Sequence, residues 1–249
     1  MAPSEPAIAC RRERKSTAIV RGLYCRAVHV LRLLIASSLG ISALWGCGSD
    51  ESKVPSKDQV EEQFFQGGPI GFRQPNVGVE VTTNADDFAT MSQGWWSPED
   101  DRARAVQDSL EVIKASGFEA GTALRYLATD DKPQFVFGAV MAVDDAEKAS
   151  AAVADRVKAM STRACPWACV KQSGPLKLPA DGGAVGYRVL REVRPGGTPE
   201  SAVDQWQVYT TWTTGDYVHL ALLIDDAKGS NVDAFTSFIA DEARRTAAL

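Results

Sequence analysis

The sequence predicts an α+β domain: a mainly antiparallel sheet packed by about three helices. Three observations carry this. Two strand-like runs, 205–213 and 216–224, are separated by only a few turn-forming residues and read as a hairpin. Segment 135–143 is apolar on both alternations, as expected of a strand in the middle of a covered sheet. Helical periodicity with terminal signals appears between and after the strand-like runs instead of alternating regularly with them, which favours α+β over a parallel α/β sheet.

From its start, the chain opens with a basic segment containing Arg11, Arg12, Arg14, Lys15, Arg21, Arg26 and Arg32, followed by an uncharged apolar run over 33–46. That run is too short for the roughly 20 residues a spanning helix needs and suits the core of an export signal. An uncleaved N-terminal anchor helix is the alternative. Residues 1–46 form a long leader, so 1–19 read as an over-extended start, with translation expected near Val20 or Val28. Of the 27 Lys/Arg and 32 Asp/Glu residues, seven and two lie in 1–46. The remaining 20 and 30 give a net charge of about −10, which argues against a nucleic-acid partner.

Residues 47–58 are small, polar and charged and read as a flexible tether, leaving 59–249 as a single folded domain. Val60, Phe64 and Phe65 suit one helical turn before Gly67-Gly68-Pro69, and a short strand is expected over 77–81. Ser97-Pro98-Glu99-Asp100 starts a helix whose apolar stripe is Ala103, Val106, Leu110 and Ile113, with Gly117 as its stop. Trp95 and Trp96 are expected to pack beneath it, a binding lip being the alternative. Asp144 caps a second helix with Glu147 in the capping-box position and an inward stripe of Ala149, Val153, Val157 and Met160. Segment 184–194 is a strand in which Arg191 falls on the apolar side. The last helix opens at Ser230 and turns Val232, Phe235, Phe238, Ile239 and Ala243 inward.

The hairpin register decides a candidate site. A two-residue loop would put Trp206, Val208 and Trp212 on a face with Tyr217 and His219. A three-residue loop, Thr213-Thr214-Gly215, gathers Trp206, Val208, Trp212, Val218, Leu220, Leu222 and Ile224, and this register is expected because a one-residue slip exchanges faces. His219 then lies across from Tyr209 on the other face, flanked by Gln207, and Tyr209, Thr211, Tyr217 and His219 form a half-polar aromatic surface that could line a ligand cleft. The plainer alternative is a sheet histidine half covered by a helix or loop.

Cys165 and Cys169 are separated by Pro166-Trp167-Ala168. In an oxidising compartment a disulfide is the default for them, worth about 2 kcal/mol in the chain-entropy model. A redox-active pair is the alternative, although its usual spacing is one residue shorter. Two thiolates leave zinc short of ligands, and the Asp doublets at 86–87, 100–101, 130–131, 144–145 and 225–226 lack the alternating ligand spacing of a calcium loop. Neither a metal nor a cofactor is expected. No nucleophile elbow, phosphate-binding loop or zinc-protease helix occurs, so an enzyme is not expected.

Leu44-Trp45-Gly46-Cys47, behind the basic flank and apolar run, resembles the lipobox of bacterial lipoproteins, with Trp45 standing where a small residue is usual. The resemblance implies that Cys47 is lipidated and becomes the mature N-terminus, so that the domain is membrane-anchored and faces outside the cytoplasm. Strand, helix, strand, hairpin and helix in that order, over roughly 130–245, resemble small actinobacterial lipoproteins with PsbP-like or kinase-sensor-like domains. That likeness implies a non-catalytic binding or sensing module for a small molecule or an envelope-protein partner. An envelope scaffold and a thiol oxidoreductase at Cys165 and Cys169 are the alternative functions.

Overall fold

The computed structural model describes residues 54–74, 78–93, 102–130, 134–162, 168–178, 183–194 and 201–249. The chain divides into two units, Met1–Ser49 and Asp50–Leu249, and the described residues all belong to the second. Cys47, Trp95, Trp96, Ser97, Pro98 and Cys165 lie outside the described residues, as does the loop at 195–199.

Seven antiparallel strands form one sheet in the order β1-β2-β3-β7-β6-β5-β4. They are β1 (Phe72–Arg73), β2 (Phe118–Ala128), β3 (Phe135–Val143), β4 (Ala168–Leu176), β5 (Val185–Val193), β6 (Val203–Thr214) and β7 (Tyr217–Asp226). Five helices occur among the described residues: α1 (Lys57–Gln63), α2 (Ala85–Met91), α3 (Arg102–Ala115), α4 (Ala146–Thr162) and α5 (Val232–Thr246). The α+β class and the antiparallel sheet agree with the sequence; α1 forms where one helical turn was expected around Val60, and the short helix α2 was not expected.

Local chemistry explains the helix starts. Ser56 and Gln59 form a reciprocal capping box ahead of α1. Asn84 accepts from the amides of Asp86 and Asp87 ahead of α2. At α4 the cap is Asp145, whose carboxylate accepts from the Lys148 amide, one residue later than the expected Asp144. Gly117 ends the turn after α3 with φ 66°, a conformation that costs glycine little. Asn231, not Ser230, precedes α5, and its side chain is committed to Asp225 and Gln134 instead of capping.

Both faces of the sheet are covered. One carries Phe137, Met141, Val218, Leu220, Leu222 and Tyr209 under α2, α3 and α4. The other carries Val136, Val140, Val208, Trp212, Ala221 and Leu223 under α1 and α5. The central strands β3 and β7 therefore alternate between two interiors, which is why 135–143 reads as apolar throughout.

This two-sided burial overturns the expected hairpin register. Thr214 pairs with Tyr217, Trp212 with His219 and Tyr209 with Leu222, so the loop is the two-residue Gly215-Asp216, with Gly215 at φ 55°. Gathering every apolar residue on one face offers no advantage when both faces are dry, so the pattern cannot choose the register, and the turn does. The expected strand over 77–81 is replaced by an isolated bridge between Thr82 and Gly121. Strands β2 and β4 were not expected.

Candidate functional site

On the α4 face, helix α4 crosses strands β5 and β6 and leaves a cavity of about 110 Å³. The strand register brings Val185 opposite Thr211, Gly186 opposite Thr210 and Tyr187 opposite Tyr209. Ala154 and Val157 of α4 close the opposite wall, and among the described residues no charged side chain lines the space. Val185 is half exposed, whereas Tyr209 and Thr211 are buried.

The polar atoms of the site are few and specific. The Tyr209 hydroxyl donates to Gln207 Oε1 at 3.0 Å. Gln207 is completely buried, and its Nε2 has no hydrogen-bond partner among the described residues. Thr211 is 3% exposed, and its Oγ1 likewise has none. Burying a hydroxyl or amide without a partner costs about 1–3 kcal/mol, so a cavity wall is where such a group is best explained by something that enters.

The four residues expected to share one cleft are split between faces. Tyr209 and Thr211 lie on the α4 face and line the cavity. Tyr217 and His219 project toward α5, because the two-residue loop shifts their strand by one position. His219 is fully buried and stacks on Trp212, with ring centroids 4.8 Å apart and planes 2° apart. Burial, reinforced by the nearby Arg245 cation, pushes its pKa down to about 3. Neither of its nitrogens has a partner among the described residues. His219 is thus a neutral core histidine, unlike the cleft residue expected.

Cys169 lies in β4, paired with Glu192. Among the described residues no group of three or more His, Cys, Asp or Glu side chains converges as metal ligands, and no helix is long and apolar enough to cross a membrane. Tyr187 and the α4 wall were missed by sequence reasoning, whereas Gln207 was expected on the Tyr209 face and is found there. Tyr187 and Val185 already alternate toward one side of β5, and that is the signal that was present.

No protein-family model matches the sequence, and no curated protein matches it. Among solved structures, the extracellular domain of PknH from Mycobacterium tuberculosis is a distant neighbour. It matches over 78% of this chain and 94% of that chain, with 15% identity and a TM-score of 0.37.

Proposed function

We propose that this chain is a lipid-anchored, extracytoplasmic module without catalytic activity that binds a small ligand in the cavity between α4, β5 and β6. The observation that carries the reading is the buried Thr211 hydroxyl, without a partner among the described residues, in the wall of a cavity that no described charged side chain lines. The matching ligand presents a compact, uncharged and largely apolar group with one hydrogen-bonding atom. Anchoring rests on Leu44-Trp45-Gly46-Cys47, with Cys47 as the lipidated residue, and Cys165 and Cys169 form a disulfide.

Native mass spectrometry of the protein taken from its own membrane tests the binding. A mass excess beyond the acyl groups is expected in the unmodified protein and is expected to disappear when Ala154→Trp fills the cavity. Absence of any excess, or its persistence in the Ala154→Trp protein, would sink the proposal. Anchoring is checked separately by globomycin, which should make a larger precursor accumulate. The disulfide is checked by alkylation, which should modify the mature chain at two cysteines only after reduction.

A further inference from the structure

Segment 57–66 lies on the face opposite the cavity and is attached in an unusual way. Helix α1 has only seven residues, too few to hold its shape without packing. Its Lys57–Glu61 ion pair is exposed. What holds it is the burial of Val60, Phe64 and Phe65 in the core of this face, together with a fork of hydrogen bonds. Phe65 lies against Gly138 in the middle of β3, where a Cβ would run into its ring. The same ring stacks on Trp212 at 5.9 Å and 7°, and meets Phe238 edge-on at 5.4 Å. Arg245 of α5 supplies the fork, donating to the Glu62 carbonyl at 2.9 Å and the Phe64 carbonyl at 2.7 Å while it remains paired with Glu242.

The closed arrangement has a cost. Gln63 Oε1 and the Tyr126 hydroxyl are buried without a partner among the described residues, and burial raises the Tyr126 pKa further above its ordinary value. Lifting the segment lets water reach both groups, which offsets part of the lost aromatic packing. Gly67, at φ 96°, and Gly71, at φ 87°, follow the segment and give the backbone a place to turn.

We propose that segment 57–66 is a releasable latch: it opens as a unit while the sheet stays folded and uncovers the apolar bay that Val60, Phe64 and Phe65 fill, floored by Gly138 and walled by Trp212, Tyr126 and Phe238. The latch is independent of the ligand cavity, which lies across the sheet. It closes where the chain enters the domain, so whatever pulls on or binds the preceding residues acts on it first.

Native-state hydrogen exchange on the full chain tests this, reading 57–66 against 136–142 and 218–224. In the unmodified protein the latch amides are expected to exchange at least about 100-fold faster than the strand amides. Arg245→Lys keeps the charge beside Glu242 but loses the fork, and should speed exchange in 57–66 about tenfold more while β3 and β7 stay unchanged. Phe65→Ala should do the same more strongly. If 57–66 is protected as well as β3, or if the variants loosen latch and strands together, the segment is part of the cooperative core and the latch does not exist.

Discussion

Acidification should find His219. With a pKa near 3 in the folded chain against 6.5 for an unhindered histidine, the folded form refuses a proton that the unfolded form accepts. The stabilisation is complete above pH 6.5 and is lost as the pH falls toward 3. The slope approaches about 1.4 kcal/mol per pH unit, and integrated from pH 6.5 to pH 4.5 the loss is about 2 kcal/mol. Carboxylates such as Glu192 and Asp226, whose pKa values are lowered in the fold, also lose stability in acid, so the wild-type curve alone is not diagnostic. His219→Phe keeps a flat ring beside Trp212, removes the titration and removes two unpartnered nitrogens. Urea unfolding of both proteins at intervals from pH 7 to pH 4.5 gives the difference, in which the shared carboxylates cancel. The variant should be at least as stable at pH 7 and should outlast the wild type by about 2 kcal/mol more at pH 4.5 than at pH 6.5. Curves that stay parallel within about 0.5 kcal/mol would refute the assignment of His219 as a buried neutral group.

Thr211→Val should leave the unfolding midpoint unchanged or slightly raised, because a buried hydroxyl without a partner becomes a methyl, while retention of the co-purifying ligand in native mass spectrometry falls. Tyr209→Phe removes the donor to Gln207 and should lower stability by about 1 kcal/mol in urea titration. Gly117→Ala places a Cβ against the Asp144 carboxylate at a left-handed position and should cost about 1–3 kcal/mol, read as a drop in melting temperature.

What could be read in advance follows from how many surfaces each element packs. Strand β3 and helices α3, α4 and α5 carry strong one-dimensional patterns, and where their stripes are described they are buried or half-buried. Ile113, Val153, Val157, Phe235 and Ile239 all face the sheet as expected. Strand β2 escaped notice although Phe118, Ala120, Thr122, Leu124, Tyr126 and Ala128 alternate along it. The intervening residues are mixed, with Arg125 exposed and partly covering Phe135 by a cation–π contact at 3.8 Å. Strand β4 is an edge strand that carries Lys171, Gly174 and Pro175 and an irregular register near Val170, features that guard an edge and dilute a strand signal. The site was half legible. Tyr209 and Thr211 share a face in any register, but their relation to Tyr217 and His219 depended on one residue of loop length, which periodicity cannot supply when both faces are interior.

The Arg245 fork has a geographic consequence. It joins the last helix to the C-terminal end of α1, the first element of the described chain, so the polypeptide enters and leaves the folded domain on the α1/α5 side of the sheet. The cavity lies on the α4 side. A fusion partner, affinity handle or surface attachment added ahead of Val54 or after Leu249 therefore starts from the back of the sheet and leaves the mouth beside Val185 facing the other way. A circular permutant that joins these ends and reopens the chain at the Gly215-Asp216 turn should keep both the sheet and its cavity, because neither depends on which residue comes first.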